Sequence, residues 1–198
     1  MRKLQRADFS GDTLAVAREV ILGSFLYTQI GGMLTGGRVT EVEAYLGRED
    51  KASHAFHHPE SPRVRVQFGP AGYVYVYLVY GLHHQLNIVT NQAGIPDVVL
   101  IRALEPTAGL EEMARRRQGR TPLTVGPGNL CKALGIDRSL YGADCTGETI
   151  WFEREEGENG PVLATRRIGI DYAQEYRDKP WRFLLAESSF VSRPRLPG

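Results

Sequence analysis

Only two cysteines, Cys131 and Cys145, occur in 198 residues, and neither belongs to a CxxC pair. That scarcity argues against a disulfide framework or a thiolate zinc site, and the expected reading is two buried thiols in a reducing compartment. No apolar run reaches the roughly 18 residues of a membrane span. The basic start Met1-Arg-Lys-Leu-Gln-Arg is not followed by an apolar signal core. The expectation is a cytoplasmic or nuclear protein that is not secreted. Neither charge sign is in excess, with 24 Lys and Arg against 23 Asp and Glu, so only the distribution of charge can mark a nucleic-acid binder. The chain carries no internal repeat and no linker, and its length suits one domain with a single continuous core. Gly126-Pro-Gly128 lacks the further glycine of a GxGxxG fingerprint, and no nucleophile elbow supports a Ser-His-Asp arrangement.

What is present is an ordinary globular composition with uneven charge. Arginines cluster at Arg115-Arg-Arg117 with Arg120, at Arg63 with Arg65, at Arg166-Arg167 and at Arg193 with Arg195, while acids gather from Glu153 to Glu158. Leu14, Ala17, Val20 and Ile21 predict a helix from Thr13 to Leu22, with Asp12 as N-cap. Gly31-Gly32 and Gly36-Gly37 punctuate a strand-turn-strand, and residues 51–62 read as a loop. Strands are expected over 38–46, 73–79, 86–90, 98–104 (ended by Glu105-Pro106), 150–152, 164–170 and 182–185. Helices are expected over 110–117 and 130–134, the second closed by Gly135. These strands lack regular helix alternation, so the predicted architecture is α+β: one domain with a curved, mostly antiparallel sheet surrounded by helices, and a protruding hairpin.

Chemistry concentrates in three places. In Val39-Thr-Glu-Val-Glu43-Ala-Tyr45, strand alternation puts Glu41, Glu43 and Tyr45 on one face, opposite Val42 and Ala44. Burial among apolar flanks would make one of these carboxyls a usable base; spacing alone does not choose between Glu41 and Glu43. Arg102 lies inside the apolar run Val98–Leu104, where a charge requires a partner. It is either half of a structural ion pair or a group that partners the carboxylate and holds a water. Tyr73-Val-Tyr75-Val-Tyr77-Leu-Val-Tyr80-Gly81 holds four tyrosines. Tyr75 fits a core position, while Tyr80, just before a turn glycine, fits a wedge between base pairs. His54, His57, His58, His83 and His84 match no zinc spacing, so no metal is expected.

In this order, Glu41-Val-Glu43-Ala-Tyr45-Leu-Gly47, Tyr75-Val-Tyr77-Leu-Val-Tyr80-Gly81 and Leu100-Ile-Arg102-Ala-Leu-Glu-Pro106 resemble the alkyladenine (3-methyladenine) DNA glycosylase family. Gly126-Pro127 with Leu130-Cys131, Arg167-Ile168-Gly169 and Lys179-Pro180-Trp-Arg-Phe183 extend the likeness over nearly the whole chain. No lysine falls inside the first three motifs, so a monofunctional enzyme is expected, with no cofactor and with a monomer as the default; the resemblance implies a DNA glycosylase. It would excise alkylated or deaminated purines (3-methyladenine, 7-methylguanine, hypoxanthine, ethenoadenine) from double-stranded DNA. It further implies Glu43 as general base, with Arg102 and the carbonyl of Ile168 positioning the water. Tyr45, Tyr77 and His54 would surround the extruded base, Asn87 would exclude undamaged guanine, and Tyr80 would fill the gap in the duplex. The sequence departs from some relatives at His83-His84-Gln85, and Phe56 to Pro62 lacks a close match; both changes bear on pocket breadth and base preference. The competing readings are a protein that binds damaged bases without hydrolysis and an enzyme acting on free nucleosides or RNA.

Overall fold

One strand, β3 (Met33–Tyr45), organises the molecule and carries the acidic motif at its C-terminal end. The structure, a computed structural model, describes residues 1–157 and 159–193; Glu158 and Arg195, named above in charge clusters, lie outside the described residues. The other strands are β1 (Arg2–Lys3), β2 (Phe25–Ile30), β4 (Val74–Val79), β5 (His83–Val89), β6 (Val98–Ala108), β7 (Ile150–Arg154), β8 (Val162–Thr165) and β9 (Arg182–Leu185). They form one open sheet in the order β1-β7-β2-β3-β6-β5-β4, with β9 joining β3 to β8. Every pairing is antiparallel. With its helices, this is the α+β class that the sequence predicts.

Alternation sorts the sheet into two faces. Val42 and Ala44 of β3, Val74 and Val76 of β4, Leu86 and Ile88 of β5, and Val99 and Ile101 of β6 join the main core. That core is closed by Val16, Ala17 and Ile21, by Met113, and by Leu130 and Cys131 of the helix Pro127–Leu134. On the other face Tyr75, Val89 and Val98 meet Val64 in a smaller cluster edged by Tyr45 and Tyr77. The candidate site lies on this second face. Both cysteines are buried and unpaired.

Several boundaries differ from expectation, each for a physical reason. Gly36-Gly37 does not interrupt β3, because the strand runs through it. A Cβ at Gly36 would lie 2.5 Å from the Leu26 carbonyl oxygen, and one at Gly37 2.0 Å from that of Glu105. These glycines answer close backbone approach rather than a turn. Glu105-Pro106 does not end β6. The Leu104 N–H donates to Thr124 O, away from β3, so the missing N–H of Pro106 falls on the same outer edge and costs no ladder bond. The helix expected from Leu130 begins one turn earlier, with Pro127 in its first turn. Within the loop expected over 51–62, residues 54–57 form a short helical turn, and a second turn, Pro62–Phe68, starts at its last residue. β8 stops at Thr165, which frees Arg167-Ile168 to enter the site. Asp12 caps its helix as expected, accepting from Ala15 N at 2.8 Å, although Val16–Ile21 widens to π geometry.

Candidate active site

Two compensating irregularities set the site. Along the β3–β6 pairing, Val39 faces Leu104, Glu41 faces Ala103 and Val42 faces Ile101. Thr40 and Arg102 therefore have no partner in the register, one bulged residue on each strand. Bulges re-aim side chains, and here Arg102 turns toward both acids. Its Nε donates to Glu41 Oε1 at 2.9 Å and its Nη1 to Glu43 Oε2 at 3.3 Å. Both carboxylates are fully buried.

Glu43 accepts two further bonds, from the Tyr45 hydroxyl on Oε2 at 2.8 Å and from the Ile168 N–H on Oε1 at 2.8 Å. A carboxylate offers about four acceptor positions; three are taken, and the fourth lies on Oε1. Tyr45, Arg102 and Ile168 all line a cavity of about 510 Å³, whose wall also contains His54, Tyr77, Asn87 and Tyr80. The structure thus brings seven of the eight sequence-predicted site residues to one cavity. The eighth, Glu43, stands directly behind it, in contact with three of those seven. For Ile168, it is the N–H that touches Glu43.

The walls are aromatic and engaged in hydrogen bonds. The Tyr75 hydroxyl and His54 Nδ1 are 2.9 Å apart, and the Tyr77 hydroxyl donates to Gln85 Oε1 at 2.6 Å. Burial pushes the phenols of Tyr45, Tyr75 and Tyr77 up, Tyr75 to about 12, so all three stay protonated at neutral pH. Burial, with Arg63 nearby, lowers His54 to about 4, so its ring is neutral. Asn87 Nδ2 donates to the main-chain oxygens of Tyr75 at 3.2 Å and Gln85 at 3.4 Å. Among the described residues, no three His, Cys, Asp or Glu side chains converge to hold a metal ion.

Tyr80 sits at the rim, 92% exposed, at the tip of the β4–β5 hairpin. The Leu82 N–H returns to Val79 O, and Tyr80 and Gly81 have φ of +50° and +70°. Positive φ at both central residues describes a type I′ turn, which favours Asn-Gly. A bulky aromatic residue in the left-handed region is strained, and this one has no burial to compensate.

Some contributors escaped sequence reasoning. Arg167, buried and paired with Asp50, lays its guanidinium 4.6 Å from the Tyr45 ring centre and steadies that wall. Parity with Arg102 could have marked Leu100 as a lining residue; nothing in the sequence marked Gln67 or Tyr172. The arginine cluster at 115–117 is engaged within the fold. Arg115 and Arg116 bind Glu112, and Arg116 also donates to Ala133 O and Ile30 O.

Residues 7–189 match the family model described as methylpurine-DNA glycosylase. A protein of Desulfitobacterium hafniense (strain Y51) named "Putative 3-methyladenine DNA glycosylase" is 44% identical over 202 residues, covering 97% of this chain and 99% of the relative. Relatives with the same name occur in Alkaliphilus oremlandii, 42% identical with 96% and 99% covered, and in Clostridium acetobutylicum, 40% identical with 96% and 97% covered.

Proposed function

The chain belongs to the methylpurine-DNA glycosylase family, and from that premise we propose that it excises alkylated or deaminated purines from double-stranded DNA. The observation that carries this reading is Glu43, a fully buried carboxylate held by three cavity-lining groups with one acceptor position left over.

A base inside a duplex cannot be attacked where it lies, so the nucleotide rotates out into the cavity. Tyr80 stacks into the vacancy it leaves. Tyr45, Tyr77 and the neutral His54 ring receive the purine, and Asn87 excludes the amino group of undamaged guanine. A water donates its hydrogen bond to the remaining site on Glu43 Oε1, with Arg102 and the Ile168 carbonyl orienting it. As the bond to the base lengthens, the sugar becomes oxocarbenium-like, and the carboxylate stabilises that charge while removing the water's proton. Purines alkylated at N3 or N7 carry a positive charge and leave readily; hypoxanthine also needs a proton on the departing base. The mechanism uses no cofactor, and the enzyme acts as a monomer.

No lysine lines the cavity among the described residues, and Lys51 Nζ is engaged with Gln174 and Glu175. The reaction therefore stops at an abasic site without a Schiff base. Borohydride treatment during turnover leaves no protein–DNA adduct, and a trapped adduct would contradict the scheme. The principal test is purine release from alkylated duplex DNA by wild type and Glu43→Gln. Loss of release with lesion binding retained supports hydrolysis by Glu43. If wild type binds lesions and releases nothing, the protein senses damage without excising it.

A further inference from the structure

Gln67 is 1% exposed, and its amide oxygen has no hydrogen-bond partner among the described residues, yet the residue lines the cavity. It belongs to the 3₁₀ turn Pro62–Phe68. Residues three apart in such a turn share a face, so Gln67 points inward with Val64, which packs against Tyr75 in the smaller core. The Tyr75 hydroxyl, on the same face, meets His54 Nδ1. A buried acceptor without a donor is destabilising.

The polar groups around it are engaged. The Asn87 amide nitrogen binds main-chain oxygens, the Tyr77 hydroxyl binds Gln85, and the Tyr45 hydroxyl binds Glu43. Gln67 Oε1 is an acceptor left over in the lining of a cavity with aromatic walls. We infer that Gln67 determines specificity within this site: its Oε1 accepts a hydrogen bond from the 6-amino group of an extruded adenine lesion. The inference rests on the proposed excision of damaged purines. Lesions of adenine bring that group. Hypoxanthine and 7-methylguanine carry a 6-oxo group in its place and leave the oxygen unpaired.

The test is single-turnover release of 3-methyladenine, 7-methylguanine and hypoxanthine from duplex DNA by wild type, Gln67→Met and Gln67→Glu, with each variant's melting temperature recorded. Gln67→Met keeps the approximate length and volume and removes the acceptor. It should slow release of 3-methyladenine about tenfold relative to 7-methylguanine and hypoxanthine, the worth of one satisfied hydrogen bond. Gln67→Glu retains the acceptor and should keep the wild-type order of the three bases. Equal changes across all three bases in Gln67→Met overturn the inference. If that variant does not fold, Gln67→Glu decides alone: a tenfold loss of preference for 3-methyladenine overturns it, and an unchanged order supports it. A wild-type protein that releases none of the three sinks the proposed activity itself, and this assignment with it.

Discussion

Glu41 and Glu43 stand two residues apart on one face of β3, equally buried and both bound to Arg102, yet they belong to different regions. At the Glu41 end, Arg182 Nε donates at 2.7 Å and the Ser192 N–H at 2.6 Å, while Arg182 also donates to Thr165 Oγ1 and Ser192 O. That carboxylate fastens β9 and the segment leading to Ser192 onto the sheet. At the Glu43 end there is a single guanidinium at the longer distance, two neutral donors and a cavity. Burial pushes the Glu41 carboxyl up, but Arg102, Arg182 and the Ser192 N–H outweigh it and hold it below its usual range. Each accepts at least three hydrogen bonds, but two of Glu41's come from guanidiniums that tie it to the fold, and Glu43 is the one backed onto the cavity by Tyr45 and Ile168. Burial and an arginine partner are therefore not sufficient marks of a candidate catalytic acid; a place beside a cavity is the sharper sign.

The largest effects should come from swapping the two glutamates for their amides. Glu43→Gln should slow single-turnover purine release by roughly 10²–10⁴-fold, the range of a lost general base, while its melting temperature stays close to wild type because Arg102 keeps Glu41. Glu41→Gln should do the reverse. It removes the carboxylate that the buried Arg182 binds, while Arg102 keeps Glu43, a loss of roughly 3–5 kcal/mol by the measure of broken buried pairs, and whatever protein stays folded should still release base. Urea titration read beside the release assay checks both arms. If Glu41→Gln abolishes release in a folded protein, the division of labour is wrong.

Acid should sharpen the same contrast. The folded-state Glu41 carboxyl is depressed below its unfolded value of about 4.3. Its stabilisation is therefore fully present above that pH and disappears as pH falls through the lower folded value. Asp8, Asp137 and Asp144 are also depressed, so wild type should lose stability steeply on acidification below about pH 4. Those three act alike in both proteins, so the difference from Glu41→Gln isolates Glu41. Urea midpoints measured from pH 5 to pH 2.5 should converge as pH falls. Parallel curves would remove the ion-paired role of Glu41.

The sheet face of the site was legible because strand parity is strict. Two-residue spacing placed Glu41, Glu43 and Tyr45 together and set Val42 and Ala44 on the core side, and Tyr75 and Tyr77 followed the same rule. What spacing could not separate was Glu41 from Glu43, since that depends on Arg182 and Ser192 arriving from 141 and 151 residues away in sequence. The paired bulges at Thr40 and Arg102 were hidden too, because each restores the register that the other breaks and the apolar pattern hardly changes. Gly36-Gly37 misled for a related reason: glycine marks both turns and close strand approach, and only the neighbouring strands tell which. Arg116 and Arg167 looked like surface charge until their buried carboxylate and carbonyl partners were in place.

The smallest effect separates the hairpin tip from the body of the sheet. Tyr80 holds φ at +50° while almost wholly exposed, so it adds strain without burial. Asn-Gly is the preferred pair for this turn. Tyr80→Asn should therefore raise stability by about 0.5–1 kcal/mol, as other relieved backbone positions do, and shift the urea midpoint upward. The same change should weaken capture of lesion-bearing duplex about fivefold to tenfold, through the loss of a stacking ring worth about 1–1.5 kcal/mol, with little change in affinity for undamaged duplex. Gain in stability together with loss of lesion capture means that the strain is kept for the wedge. Equal losses on damaged and undamaged duplex would make Tyr80 a general contact. Unchanged lesion binding would leave the strained turn without a function, and the contrast between a tip strained for DNA and a sheet built for stability would fail.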